Sequence, residues 1–164
     1  INGHYIREAN PAYLHDVMVE TAREVGRDED AKGLMANHNT VLAALPELQP
    51  RAKTVLELID LAQFIYALRP IQPDEKAAAL LTDEARIVLQ SVADTLGGLA
   101  DWSVPSIDAA MRALAEEKGL KLGKLAQPLR AALTGRTVSP GIFEVMVLIG
   151  REESLARLGD QTAA

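Results

Sequence analysis

Residues 10–26 read Asn-Pro-Ala-Tyr-Leu-His-Asp-Val-Met-Val-Glu-Thr-Ala-Arg-Glu-Val-Gly. Asn10 is a preferred N-cap residue, Pro11 suits the first helical position, and Gly26 suits the position just beyond a helix end. Between these marks, apolar side chains recur at steps of three and four residues along one face, namely Leu14, Val17, Met18, Ala22 and Val25. The stretch therefore predicts an amphipathic α-helix with both ends defined.

The same apolar spacing continues through the rest of the chain, with no sustained alternation and only 4% aromatic residues, so strands have little support. We expect an all-α fold, a helical bundle of about eight helices. After the first, the predicted helices are a stretch reaching about residue 48, then 50–68, a short one from Asp74, one capped by Thr82 and ended by Gly97, one capped by Ser106, then 123–133, and one opened by Ser139 and Pro140 that ends at Gly150.

Two prolines three residues apart, Pro70 and Pro73, interrupt this helical pattern. Neither a helix interior nor a central strand tolerates such a pair well. We therefore place a subdomain boundary here, which gives a first helical subdomain at 1–72 and a second at 73–164.

The composition limits the classes of protein to which this chain can belong. A 48% hydrophobic content in 164 residues suffices for a packed core, and the absence of cysteine excludes disulfides and thiolate chemistry. The longest apolar runs, of about ten residues, are too short to cross a bilayer. We expect a cytoplasmic monomer with no membrane partner. The chain opens without a methionine, inside what looks like structured sequence, and is interpreted as a piece of a longer protein.

Catalytic patterns are absent from the sequence. His4, His15 and His38 fall on different predicted elements, so nothing predicts a shared metal site. The acidic clusters, including 28–30, lie in turns or at helix edges, where carboxylates are expected to be solvated or to complement helix dipoles. No serine has the context of a nucleophile, and the glycines of 119–124 do not match a phosphate loop. We predict neither a catalytic residue nor a metal site.

One segment is distinctly basic. Residues 118–136 carry +5 without a single acid, which leaves −11 for the remainder of a chain whose net charge is −6. Its cations are Lys118, Lys121, Lys124, Arg130 and Arg136. Two interpretations remain open: an ordinary solvated face, or a local positive field that attracts a polyanion such as RNA at one place and repels it elsewhere.

The amino-acid sequence in and after this segment resembles a known family. The run 121–135, Lys-Leu-Gly-Lys-Leu-Ala-Gln-Pro-Leu-Arg-Ala-Ala-Leu-Thr-Gly, followed by Ser-Pro-Gly-Ile-Phe-Glu at 139–144 and Leu-Ile-Gly-Arg-Glu at 148–152, resembles the C-terminal end of bacterial glutamyl-tRNA synthetases. Residues 1–7 and 155–158 also look like that family. The resemblance implies the anticodon-binding domain of a class I aminoacyl-tRNA synthetase, a glutamate–tRNA ligase.

The resemblance also implies what this chain lacks. Neither signature motif of the class I catalytic domain occurs in the sequence. The chain alone is therefore expected to activate no amino acid and to hold no cofactor, while ATP and Mg²⁺ belong to the whole enzyme. The implied partner is tRNA(Glu), with tRNA(Gln) left open and no DNA partner.

Several residue roles are implied by the family positions. Arg130 would contact the anticodon bases, together with the turn Ser139, Pro140, Gly141 and Ile142, while Arg51 would help to recognise the first anticodon base. Lys118, Lys121, Lys124 and Arg136 would contact phosphates. The alternatives stay open at this point: Arg130 could bond within the bundle, Ser139 could simply cap a helix, and Trp102 could plug the core rather than stack on a base. A non-catalytic helical protein-interaction module with a basic patch is the competing function.

Overall fold

The computed structural model describes residues 3–162, with side chains from Tyr5 onward. This part of the chain contains eleven α-helices and no strand, as the all-α prediction requires. By their contacts the residues form two units, Ile1–Ala67 and Leu68–Ala164. Within the described range, no helix combines the length and the apolar character that crossing a bilayer requires.

The first unit is built around α2. Its helices are α1 (Gly3–Glu8), α2 (Pro11–Glu24), α3 (Asp28–Ala36), α4 (His38–Leu48) and α5 (Val55–Ala62), with 3₁₀ turns at Gln49–Arg51 and Gln63–Ile65. Helix α2 packs against α3, α4 and α5. Its predicted apolar face supplies the contact, with Leu14, Met18 and Ala22 wholly buried. Burial of this stripe is what holds so polar a helix in place.

The second unit contains the basic segment. Its helices are α6 (Glu75–Leu80), α7 (Asp83–Gly97), α8 (Val104–Glu117), α9 (Leu122–Thr134), α10 (Ile142–Ile149) and α11 (Arg151–Thr162). Helix α9 contacts α6, α7, α8, α10 and α11 and so lies at the centre of this unit. Leu125, Leu129 and Leu133 on its inner face are wholly buried.

Hydrogen bonds confirm two predicted N-caps, Asn10 and Thr82, and show that Asp74, predicted only as the start of a short helix, is a third. The Asn10 Oδ1 accepts from the Ala12 N–H at 2.9 Å. The Asp74 Oδ1 accepts from the Ala77 N–H at 2.8 Å, and the Thr82 Oγ1 accepts from the Ala85 N–H at 3.1 Å. These caps depend on residues within one turn of each other, so a local sequence pattern suffices to find them.

Other predicted boundaries were wrong. The helix expected over 50–68 begins only at Val55, because Thr54 caps the Glu57 N–H and Pro50 lies in a 3₁₀ turn. The cap of α8 is Ser103 rather than Ser106, since Pro105 is tolerated in the first helical turn. The stretch before residue 48 divides at Asn37 into α3 and α4, and α1 and α11 add to the count. The prediction of about eight helices was therefore too low.

Asp30 lies in the first turn of α3, at a helix edge as expected for the cluster 28–30, but its carboxylate is bonded within the fold rather than solvated. Its carboxylate accepts hydrogen bonds from the Tyr66 hydroxyl at 2.7 Å, the Gln63 amide at 3.0 Å and the Arg27 Nε at 2.8 Å. Burial alone would raise the pKa of Asp30, but these bonds from Tyr66, Gln63 and Arg27 outweigh it and lower the pKa. The ionised carboxylate thus joins α3 to the end of the first unit.

Replacing Tyr66 by phenylalanine is expected to lower the free energy of unfolding of the first unit by about 1–2 kcal/mol at neutral pH, because Asp30 loses a partly buried donor. A carboxyl with a lowered native pKa stabilises the fold above its unfolded pKa, and this contribution is lost as pH falls through the native pKa. The variant should therefore lose less stability on acidification than the parent. Urea titrations between pH 7 and pH 3 measure both effects, and an unchanged acid dependence would contradict the role given to Asp30.

Candidate nucleic-acid interface

Helix α9 presents a polar ridge on an otherwise buried helix. Lys121, Lys124, Gln127 and Arg130 follow one another at steps of three residues, which places them along a single ridge of the helix surface. The first three are exposed and Arg130 is half-buried. The ridge therefore carries three of the five cations of the basic segment on one element.

Arg130 is joined to the turn before α10. Its Nε donates a hydrogen bond to the Ser139 Oγ at 2.8 Å, and the Ser139 hydroxyl donates to the Pro140 carbonyl at 2.7 Å. The two elements that the family resemblance implicates in anticodon contact thus meet directly. Arg130 is half-buried, neither sealed in the core nor fully exposed, and the bond to Ser139 fixes the position of its Nε.

The predicted cap at Ser139 and Pro140 was wrong. Helix α10 begins at Ile142 with Gly141 in the N-cap position, and no side chain caps it. The Ser139 Oγ accepts from Arg130 and donates to the Pro140 carbonyl, and it makes no capping bond to α10. The Glu144 carboxylate lies against Gly141, where a Cβ would overlap it. A carboxylate in the first turn complements the helix dipole and makes this helix end less suited to an RNA phosphate.

The remaining turn residues differ in exposure. Pro140 is buried and Ile142 is only 4% exposed, while Gly141 is half-buried. The accessible part of this turn is therefore backbone around Gly141 together with Ser139, rather than the two apolar side chains. The four residues remain candidates, with Pro140 and Ile142 acting through the shape of the turn.

A tight connection holds the end of α9. The Thr134 Oγ1 donates to the Arg130 carbonyl at 2.8 Å and accepts from the Arg136 N–H at 3.1 Å. Gly135 has φ +72°, and its carbonyl accepts from the Asp74 N–H at 2.9 Å. A Cβ on Gly135 would come within 2.8 Å of the Gln72 carbonyl oxygen, so the close approach requires glycine. The half-buried Arg136 follows directly.

The lysines stand at the other end of the ridge. Lys118 is exposed at the C-terminus of α8, and Lys121 is the N-cap residue of α9 but makes no side-chain capping bond. Lys121 and Lys124 border a groove of about 810 Å³ whose walls are largely apolar, formed by Leu80, Val88, Leu120 and Pro128 among others. These exposed ammonium groups are suited to phosphate contact without base specificity.

Arg51 belongs to the first unit. It is exposed in the 3₁₀ turn after α4, where its guanidinium donates to the Glu47 carbonyl and lies 3.6 Å from the Glu47 carboxylate. An exposed pair of this kind is held weakly, because water screens it. The arrangement leaves Arg51 a candidate for RNA contact that would exchange one carboxylate partner for another acceptor.

The sequence left two roles open for Trp102, and Arg157 was not singled out as a functional residue. The Trp102 indole donates to the Met146 carbonyl at 2.9 Å, and the Arg151 guanidinium lies 5.1 Å from its ring centroid. This supports the packing alternative for Trp102.

Arg157, which the sequence interpretation passed over, is 1% exposed and donates to the Leu133 carbonyl at the end of α9. Its place on the buried face of α11, with Ser154, Leu158 and Gln161, is the signal that could have found it.

No group of three or more potential ligands among the described residues could hold a metal ion. His15 and His38, which lie on different helices, meet edge to face with ring centroids 4.4 Å apart. The His15 Nε2 bonds the Leu34 carbonyl at 2.8 Å, as a buried core histidine does. The side chain of His4 lies outside the described residues.

Comparisons with known proteins agree with the motif resemblance. A family model described as an anticodon binding domain matches residues 9–162. The chain is 53% identical over 163 residues to glutamate–tRNA ligase 1 of Brucella melitensis and to glutamate–tRNA ligase 2 of Brucella ovis, covering 98% of this chain and 34% of each relative. It spans about a third of their length. A crystal structure of a glutamate tRNA ligase from Elizabethkingia meningosepticum matches with a TM-score of 0.74 at 24% identity, over 98% of this chain and 30% of the other.

Proposed function

The chain belongs to the family of anticodon-binding domains, and on that premise we propose that it binds the anticodon loop of tRNA(Glu) through Arg130 and the turn 139–142. The observation that carries the proposal is the 2.8 Å hydrogen bond from the Arg130 Nε to the Ser139 Oγ at the end of a ridge bearing Lys121 and Lys124. This bond supports a role for Arg130 in contacting bases, beside Lys121 and Lys124, which would contact phosphates from the same ridge.

The chemistry of arginine suits this role. A guanidinium offers a planar fork of donors to base edges and a flat face on which an unpaired base can stack. The Ser139 hydroxyl accepts from the Nε, so it restricts the rotation of the guanidinium plane. A group held in one orientation loses less entropy on binding, which raises affinity, and it cannot turn to meet the acceptors of a wrong base, which raises discrimination.

The wider role extends beyond this chain. By holding the anticodon loop, the domain would position the tRNA for ATP-dependent glutamylation by a catalytic domain outside this chain, in a monomeric cytoplasmic glutamate–tRNA ligase with no DNA or membrane partner. ATP and Mg²⁺ would be bound by that catalytic domain. Arg51 would contact the first anticodon base and so bear on whether tRNA(Gln) is also accepted.

Titration of this chain with two tRNAs tests the proposal. One carries the glutamate anticodon, and the other is identical except for altered anticodon bases. We expect tighter binding of the first at every salt concentration, since base contacts add to a shared phosphate term. Equal affinity for both would refute the proposal and indicate charge attraction alone. Absence of RNA binding would instead favour a helical module whose basic patch contacts an acidic protein.

The exposed lysines have a different expected signature. Replacing Lys121 or Lys124 by alanine should weaken binding of both tRNAs to the same degree and reduce the slope of log affinity against log salt by about one. Lys32, which pairs with Glu29 among the acids of α3, serves as the matched control and should change neither quantity. A selective loss of binding to the cognate tRNA alone would contradict the assignment of these lysines to phosphates.

A further inference from the structure

Arg157 carries a charge in the interior of the second unit. It is 1% exposed on α11, and its Nε donates to the Glu153 Oε2 at 2.7 Å. Its Nη1 donates to the Leu133 carbonyl at 2.9 Å. Leu133 is the last residue but one of α9, so its carbonyl has no partner within the helix. The buried guanidinium thus bonds to the C-terminal end of the helix that bears Arg130.

A charged side chain is a costly means of filling this position. Burying a guanidinium is unfavourable unless the charge is paired and hydrogen-bonded, and an apolar side chain of similar volume often packs equally well. What an apolar side chain cannot supply is a donor for the Leu133 carbonyl. The arginine is therefore better explained by the bond it makes to α9 than by core packing.

The bond between Arg157 and the Leu133 carbonyl is connected to Arg130 and Ser139 through the last turn of α9. Leu133 precedes Thr134, whose Oγ1 donates to the Arg130 carbonyl at 2.8 Å. The Arg130 Nε then donates to the Ser139 Oγ at 2.8 Å. The backbone of one helical turn and three hydrogen bonds therefore link the interior of α11 to the turn before α10.

We propose that Arg157 is a positioning residue for anticodon recognition, which fixes the last turn of α9 so that Arg130 presents its guanidinium to the bases in one orientation. The inference rests on the proposed function. Recognition geometry of this kind requires placement within about 0.5 Å, which a frayed helix end does not provide. Arg157 itself touches no RNA in this arrangement.

The test compares Arg157→Lys and Arg157→Met with the parent chain. Each variant is titrated with the tRNA carrying the glutamate anticodon and with the base-altered tRNA, and its thermal unfolding midpoint is recorded. We expect the affinity ratio between the two tRNAs to fall about tenfold in both variants, with binding of the altered tRNA unchanged. Lysine keeps the charge but lacks the fork that reaches the Leu133 carbonyl and Glu153 together.

Arg86→Met is the matched control. Arg86 is a half-buried arginine of α7 that donates to the Gln161 carbonyl of α11 rather than to a carbonyl of α9. It should lower the midpoint while keeping the affinity ratio. A loss of ratio equal to that of the Arg157 variants would show that destabilisation alone explains the effect, and the inference would be overturned.

A second variant covers the case in which the Arg157 substitutions unfold the chain. Glu153→Gln leaves Arg157 in place but weakens the bond to its Nε, and should lower the affinity ratio about threefold. Its control is Asp160→Asn, since Glu153 and Asp160 both lie near Arg69, at 3.6 and 3.7 Å. An unchanged ratio in folded Glu153→Gln would count against the inference.

The decisive comparison is the double variant. In an Arg130→Ala background, Arg157→Lys or Glu153→Gln should cause no further loss of the affinity ratio, because the residue through which they act is gone. A loss of the same size in that background would overturn the inference. Failure of the parent chain to distinguish the two tRNAs would instead refute the proposed function, so the two failures are distinguishable.

Discussion

Replacing Arg130 by alanine is expected to remove about 1–3 kcal/mol of the discrimination between the tRNA with the glutamate anticodon and one with altered bases. The reason is that the substitution removes the planar donors that the Ser139 hydroxyl orients. The measurement is the difference in binding free energy between the two tRNAs at one fixed salt concentration. Binding of the altered tRNA should weaken only by the small contribution of one positive charge.

Arg112→Ala provides the matched control for this experiment. It removes the same charge from the second unit at an exposed position on α8, where the guanidinium bonds the Asp108 carboxylate. It should leave the discrimination unchanged. If Arg130→Ala kept the preference of the parent chain while remaining folded, the base-reading residue would lie elsewhere in the domain.

Replacing Gly135 by alanine is expected to destabilise the second unit by about 3 kcal/mol. Two causes add: an alanine at φ +72° is strained by about 1 kcal/mol, and the new Cβ would come within 2.8 Å of the Gln72 carbonyl oxygen. The backbone cannot yield easily, because the Asp74 N–H bonds the Gly135 carbonyl at 2.9 Å. Urea unfolding followed by circular dichroism measures the change.

Gly119→Ala separates these two causes. Gly119 has φ +67°, close to the value at Gly135, but a Cβ there would meet nothing within 4 Å. Its alanine variant should therefore lose only about 1 kcal/mol, the cost of the left-handed conformation. Equal losses at the two glycines would show that the contact with Gln72 relaxes without cost. Because Gly135 lies between Arg130 and Ser139 in sequence, its variant should also reduce anticodon discrimination.

The helical class and several helix ends were predictable from the sequence for a local reason. The cap at Asn10 bonds the N–H groups two and three residues later, and the caps at Asp74 and Thr82 bond those three residues later. Such bonds form within one turn, so residue type and spacing are enough to predict them. The apolar stripe of α2 was equally predictable, since apolar residues that recur with a period of 3.6 indicate one buried helix face.

The errors arose where a local signal competed with a tertiary contact or with a second local signal. Ser139 before a proline has the pattern of an N-cap, yet its hydroxyl bonds Arg130 on another helix. Ser106 follows Pro105 and looked like a cap, but Ser103 caps α8 with the proline inside the first turn. Asp30 sits among acids at a helix start, yet Tyr66 bonds it from 36 residues away.

The sequence by itself determined the kind of molecule: an all-α chain with a basic segment at 118–136. Only the tertiary structure decided that Arg130 meets Ser139, that the Glu144 carboxylate lies at the start of α10, and that the buried Arg157 bonds the end of α9. The physical reason is range. Helix periodicity and capping depend on neighbours within one turn, whereas the direction of a guanidinium depends on acceptors brought to it by separate helices.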